Sequence, residues 1–431
     1  MGKNNIGVIQ SATLDESFAK SKKSKTKKNK VIGLVAITCI SGVLINYFNK
    51  KYIYTNIIAK NIFIEGIDVS NMTKEEAINY INENVTLGNI QLNYDGEINV
   101  ISPDEIDLKY NTSEVVDEAY NYTKTDSYFE NIKRFFDLNK NSKNLEIKSL
   151  YDENKLSEKI QSISDSINMA MENAKVYISD SGNISTSKAT IGKELDIAST
   201  KESIYDAIKN KDYKTIDLKV NINEPKISTE AVKSVNTLLA EFSTKFSTND
   251  SNRVTNIVLS AKATSDILLM PGEEFSYNNL TGKRTASNGY KDAPVIINGK
   301  LEQDVGGGVC QVSSTLFNSV LYSGLDVTSR RNHSLKSGYV SIGRDAMVSD
   351  GGSDFRFKNP YSHPVYIKNT VSNGVITSKI YGNVSDKKNI SIKVDPYTKG
   401  GLDAAKTYIE YKDSSGNVIR TQYISNSVYK N

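Results

Sequence analysis

Cys310 and His333 are the side chains of this 431-residue sequence best suited to chemistry, because it holds only two cysteines and two histidines. Cys39 lies in an apolar run, which leaves Cys310 as the thiol placed to react. It follows Val305-Gly306-Gly307-Gly308-Val309 and precedes Gln311-Val312-Ser313-Ser314-Thr315-Leu316. Val312, Leu316, Phe317, Val320 and Leu321 recur at helical spacing, so Cys310 is expected in the first turn of a buried helix ending near Gly324. Unpaired N–H groups and the helix dipole stabilise negative charge at such a start. A thiol there ionises below its free value of about 8.5. The glycines permit close backbone approach, and N–H groups near Gly308–Gln311 are candidates to hold an oxyanion. A phosphate loop is excluded because no Gly-Lys-Ser/Thr follows the run.

A thiol nucleophile needs a base. His333, in Ser329-Arg330-Arg331-Asn332-His333-Ser334, follows the helix closely enough for a turn and a returning strand to bring it back. His363 stands between Pro360 and Pro364 and reads as a turn residue, so His333 is preferred. Asp345 and Asp354 are both candidates to orient the imidazole, and the sequence does not choose between them. Arg330, Arg331 and Arg344 add positive charge that suits a substrate carboxylate, or an ordinary solvated face. No metal or other cofactor is expected, because the histidines, thiols and carboxylates lack ligand spacing.

These residues need a compartment and a scaffold. Val31–Phe48 carries no charge and, at 18 residues, reaches the length that spans a bilayer core. A secretory signal has a shorter core and a small-residue cleavage site, so the segment reads as an uncleaved transmembrane anchor. Seven lysines crowd into Lys20–Lys30 before it, while Lys50 and Lys51 follow. Lysine bias therefore places the N-terminus in the cytoplasm and residues from about 52 onward outside. The net charge of +4 comes from that basic tail, which leaves no support for a nucleic-acid partner. Cys310 is then the exported cysteine, without an intramolecular disulfide partner.

The expected fold class is α+β, with a single N-terminal transmembrane helix. A basic tail (1–30) and the anchor (31–49) precede a duplicated region (52–226), a catalytic domain (229–383) and a short C-terminal β segment (384–431). In the first repeat, Thr73 and Glu76 form a capping box, and Ile90–Tyr94 and Ile98–Ile101 alternate as strands. Helices start near Asn111-Thr112 and near Ser199-Thr200. Ile160, Ile163 and Ile167 make a helical stripe, and Val176–Ile178 and Asn183–Ser185 read as strands. Val232, Val235, Leu238, Leu239 and Phe242 predict an amphipathic helix over Thr229–Phe242. Met270-Pro271-Gly272 is a turn, and Val295–Leu301 reads as a hairpin bending at Asn298-Gly299. The tail carries a hairpin around Asp413–Asn417 and no evident chemistry.

From about Ala240 to Gly382 the sequence resembles the VanW-domain family. The resemblance rests on Arg253-Val254-Thr255-Asn256-Ile257, Pro271-Gly272-Glu273-Glu274-Phe275-Ser276, Asn288-Gly289-Tyr290-Lys291 and Ala293-Pro294-Val295-Ile296. It continues through Gly306–Leu316, Asn332-His333-Ser334, Gly343-Arg344-Asp345-Ala346 and Asp354–Asn359. The upstream repeat resembles the peptidoglycan-binding module often joined to that domain. Some members of the family are regarded as L,D-transpeptidases of the cell wall, and the glycine-rich run before Cys310 differs from the histidine–serine–glycine–cysteine signature of the usual enzymes. The resemblance implies catalysis by Cys310 and His333, with Gly307, Gly308, Gln311, Ser313, Arg331 and Arg344 as candidate substrate-binding residues. It implies peptidoglycan as partner and the outer face of a Gram-positive membrane as location. A cysteine peptidase or amidase of stem peptides and a non-catalytic wall-binding protein are the alternatives.

Overall fold

The computed structural model describes residues 12–297 and 300–430. It shows an α+β chain that divides into two compact units. The first comprises the chain up to Asn168 together with Leu195–Asn221, and the second Met169–Glu194 with Ile222 onward.

The first unit opens with helix α1 (Ala12–Phe48), which continues as a wider helical turn over Asn49–Ile53. Lys27–Ile53 is long and apolar enough to cross a membrane, and its apolar side chains are exposed. Helix α2 (Lys74–Asn84) starts where the capping box predicts, with Glu76 N–H donating to Thr73 Oγ1 and Thr73 N–H donating to Glu76 Oε2. Such caps are worth about 1 kcal/mol. Helices α3 (Thr112–Asn121), α4 (Tyr128–Leu138), α5 (Glu153–Ile167) and α6 (Ile197–Asn210) follow. Two cores form. One joins Ile62, Ile64, Ala77, Ile81, Val116 and Ala119 from α2, α3 and their strand. In the other, Ile160, Ile163, Ile204 and Ile208 of α5 and α6 pack on Ile90, Leu92 and Ile101. The strands Ile90–Tyr94 and Glu97–Ile101, read in sequence as part of the first repeat, thus cover the helices of the second.

In the second unit, the strands Val176–Ile178 and Ile184–Thr186 pair antiparallel. Val176 and Ile178 pack with Val232, Val235, Tyr366 and Tyr381, so residues 169–194, with 222–226, cluster here rather than in the first unit with the remainder of 52–226. A four-stranded antiparallel sheet orders Thr237–Lys245, Val375–Gly382, Val365–Ser372 and Ile267–Leu269. The helix expected over Thr229–Phe242 is corrected. Helix α7 spans only Thr229–Lys233, and Thr237–Lys245 is a strand. A bulge between Leu238 and Ala240 buries the adjacent residues Leu239 and Ala240 together. That break in strict alternation mimics helical spacing.

Helix α8 (Ser251–Ala263), the short α9 (Tyr277–Thr281) and α10 (Val309–Ser323) complete the helices of this unit. The core joins Ile257 of α8 to Val312, Leu316, Phe317 and Val320 of α10, with Ile367, Ile376 and Ile380 from the sheet. Strands Asp292–Ile297 and Lys300–Val305 form the expected hairpin, whose Asn298-Gly299 bend lies outside the described residues. Strands Ile390–Lys399, Leu402–Lys412 and Val418–Val428 build a C-terminal sheet.

Candidate active site

The three glycines set the start of α10. Gly306 and Gly308 have φ of 94° and 104°, backbone that L side chains rarely adopt. At Gly307 a Cβ would stand 2.7 Å from the backbone of Ala293 and Pro294, so only glycine fits. Gly308 is the N-cap and offers no side-chain cap to the helix. Gln311 N–H is taken by Gly308 O at 3.0 Å and Val309 N–H by Gly306 O at 3.2 Å. Among the described residues, no backbone carbonyl outside the helix accepts from the N–H of Cys310.

Cys310, in the first turn of α10, is partly exposed. Its thiol lies 3.3 Å from Val348 O and receives the Val348 N–H at 3.5 Å. Ser313 and Ser314 fasten the facing segment. Ser313 Oγ donates to Ala346 O at 2.6 Å, and Ala346 N–H donates to Ser314 Oγ at 2.9 Å. This zipper fixes the neighbouring Asp345 beside the helix start.

His333 reaches the site from the segment that follows strand Asp326–Ser329. It is 6% exposed and interacts electrostatically with the Cys310 thiol. The other side of the ring is held by Asp345, with Nδ1 2.6 Å from Oδ2. Asp345 is 1% exposed, and its carboxylate accepts four hydrogen bonds. His333 N–H reaches Oδ2 at 2.6 Å, while Arg330 Nη2 and Tyr429 Oη reach Oδ1 at 3.0 and 2.6 Å. With Nδ1 held by the carboxylate, Nε2 is the ring nitrogen left to exchange a proton. Asp354, the other orienting candidate, is instead engaged by Ser276, Asn278 and Arg356. His363 bonds Asp386 Oδ2 at 3.0 Å from its turn.

The electrostatics favour separated charge. Burial pushes the Cys310 thiol up, but the His333 imidazole outweighs it, aided by the Val348 N–H and Arg284, so its pKa is lowered. Burial pushes His333 down, yet Asp345 and the thiol raise it to about 10. Burial also raises Asp345, but the His333 hydrogen bond and the Arg330 charge hold it below the usual carboxylate range. On balance these influences favour thiolate, imidazolium and carboxylate over their neutral forms.

The remaining sequence candidates separate. Gly307 and Gly308 stand at the helix start beside the thiol. Arg331 is exposed and, with Arg330, Ser329, Ser353 and Asp354, borders an open cleft of about 540 Å³. The other three side chains are engaged inside the protein. Gln311 is clamped by Arg253 at 2.8 Å and by Lys245 O at 2.9 Å. Ser313 serves the zipper above. Arg344 bonds Asn318 Oδ1 at 2.6 Å and stacks on Phe242 and Tyr322. Asn318 is eight residues along α10 from Cys310, about 12 Å at the helical rise.

Two contributors were not legible in sequence. Arg284 is buried, pairs with Asp350 and lowers the Cys310 pKa by its charge. Tyr429 belongs to the tail that showed no evident chemistry, yet its hydroxyl reaches Asp345. Arg330 extends that link by donating to Ser427 Oγ at 2.7 Å.

Residues 252–381 match the family described as "VanW like protein", and residues 100–217 match "Putative peptidoglycan binding domain". The uncharacterized protein YoaR of Bacillus subtilis is 43% identical over 160 residues, which are 37% of this chain and 53% of YoaR. The vancomycin B-type resistance protein VanW of Enterococcus faecalis is 32% identical over 137 residues, 31% of this chain and 50% of that protein. The chain thus spans about half the length of the curated relatives it matches. No solved structure matches it. Cys310, His333 and Asp345 all fall within 252–381, so the constellation built here belongs to a VanW-like domain, carried in this chain together with the stretch that matches "Putative peptidoglycan binding domain".

Proposed function

We propose that the protein is a membrane-anchored peptidoglycan L,D-transpeptidase with Cys310 as nucleophile. The observation that carries the reading is the Cys310–His333–Asp345 chain at the open start of α10. The Cys310 thiolate attacks the carbonyl of the third residue of a tetrapeptide stem. A C–S bond forms, the C–N bond to the terminal D-alanine breaks, and protonated His333 gives its proton to the leaving amine. The side-chain amine of the third residue of a second stem then attacks the thioester. It loses its proton to His333, a new amide joins the third residues, and the thiolate is restored. The N–H of Cys310 and the dipole of α10 support the oxyanion.

Gly307 and Gly308 allow the stem backbone close approach, and Arg331 in the cleft attracts its carboxylates. Gln311, Ser313 and Arg344 support the shape of the site from behind. The chain needs no cofactor in this scheme, since the thioester conserves the energy of the peptide bond. Helix α1 anchors the protein with its lysine-rich end in the cytoplasm, so the catalytic unit faces the wall, where the upstream domain binds peptidoglycan.

Expression in a bacterium lacking third-to-third cross-links, followed by muropeptide analysis, tests the reading. New third-to-third dimers that vanish with Cys310→Ala are expected. Shortened stems without dimers mean hydrolysis, and an unchanged wall despite export and folding means a non-catalytic role. Either result overturns the proposal.

A further inference from the structure

Helix α4 sits at the foot of the apolar helix. Ser127 caps it by accepting Glu130 N–H at 3.4 Å. Its inner side is fixed by Asn131, whose side chain bonds Thr125 N–H and Thr125 O at 2.8 Å each. Its C-terminal half packs on the end of α1. The Phe48 ring lies 5.2 Å from Phe135 and 6.2 Å from Phe136, and Tyr52 lies 5.1 Å from Phe135. Tyr128 Oη bonds Asn49 Oδ1 at 3.0 Å.

Another stripe of α4 is left partly uncovered by protein, most of all at Phe129. Phe129, Ile132 and Phe136 fall at i, i+3 and i+7, on one stripe of the helix. Phe129 is 84% exposed and Phe136 55%. Leaving two such rings in water forgoes about 1.5–3 kcal/mol for each that finds an apolar environment.

We infer that α4 lies in the headgroup layer of the outer leaflet, with Phe129, Ile132 and Phe136 inserted at the lipid boundary. This rests on the reading of α1 as a membrane anchor. The uncharged segment 31–48 ends at Phe48, the residue that touches Phe135 and Phe136. Wherever the span leaves the hydrocarbon, α4 is therefore fastened at that level. Aromatic residues concentrate at this depth, and amphipathic helices bury an apolar face about 5–10 Å into it. The consequence is a defined stand-off: the unit that follows the anchor is seated on the bilayer rather than tethered freely above it.

The sequence contains no tryptophan, so one introduced indole is a clean reporter. The full chain is reconstituted into phosphatidylcholine–phosphatidylglycerol vesicles with and without brominated acyl chains, as Phe129→Trp, Leu34→Trp or Ile98→Trp. Leu34 reports on the span, and Ile98 is an exposed strand residue of the same unit. The expected result is blue-shifted emission and bromine quenching for Phe129→Trp, strong quenching for Leu34→Trp, and neither effect for Ile98→Trp. Quenching at position 34 with none at 129 overturns the inference and leaves the anchor standing. Blue-shifted but unquenched emission at 129 means that protein, not lipid, covers the face, which also overturns it. Absence of quenching at 34 removes the anchor reading and this inference with it.

Discussion

Tyr429 donates its phenolic proton to Asp345 Oδ1 at 2.6 Å, across 84 residues of chain. The same hydroxyl accepts the Gly343 N–H at 2.6 Å, and both bonds are buried. Burial, and after it the Asp345 charge, push the phenol up to about 12, so it keeps its proton at neutral pH and remains a donor. Strand Val418–Val428 thus ends on the carboxylate that orients the imidazole, although that strand lies beyond the 252–381 match.

Tyr429→Phe removes a donor from Asp345 and leaves the buried Gly343 N–H without its acceptor. A loss of about 1–3 kcal/mol in stability is expected. A carboxylate whose folded pKa is depressed contributes stability above its unfolded value and loses it as pH falls through the folded value. With one donor gone the folded value of Asp345 rises, so acid destabilisation begins at a higher pH in the variant. Unfolding midpoints measured from pH 7 downward through 3.8, the ordinary value of the group, check both the magnitude and the direction.

His333→Ala should separate the two opposing influences on the thiol. Burial, which raises the pKa and is the largest influence, is then opposed only by the weaker Val348 N–H and Arg284 charge. The alkylation rate of Cys310 against pH is expected to have a midpoint below the free value of about 8.5 in the wild type and above it in the variant. Equal midpoints would mean that the imidazole does not ionise the thiol.

Asp345→Asn leaves Arg330 as a buried cation without its partner, since the Arg330 side chain is 3% exposed. Removing one member of a buried ion pair costs about 3–5 kcal/mol. The His333 pKa should also fall from about 10, because the Asp345 hydrogen bond is its largest upward influence. Chemical denaturation measures the first effect, and NMR titration of the imidazole the second.

Gly307→Ala places a methyl group 2.7 Å from the backbone of Ala293 and Pro294. Neither neighbour can rotate away, so overpacking of about 1–3 kcal/mol is expected. Slower Cys310 alkylation should accompany it, as the start of α10 shifts against Val348. Gly338→Ala is a useful contrast, because it likewise has no positive φ but meets no atom within 4 Å.

Local signals in the sequence carried much of this. Thr73 and Glu76 marked the start of α2, and the glycine run marked that of α10, since both signals lie within a few residues of what they specify. Placing Cys310 and His333 together needed only one helix and a returning strand. The choice of Asp345 over Asp354 was not local. It depends on Ser313 and Ser314 zipping Ala346 to α10, while Asp354 is occupied by Ser276 and Arg356. Arg284 and Tyr429 arrive from distant segments without a motif. The strand Thr237–Lys245 was hidden because its bulge imitates helical spacing, and pairing with Val375–Gly382 outweighs local preference.

Intact-mass spectrometry of the protein incubated with a synthetic stem tetrapeptide tests the central claim most directly. The expected product is an adduct equal to the tetrapeptide less its terminal D-alanine, mapped to Cys310 rather than Cys39 and absent from Cys310→Ala. An unmodified Cys310 in folded protein, under conditions where a small alkylating reagent labels it fully, would contradict the account.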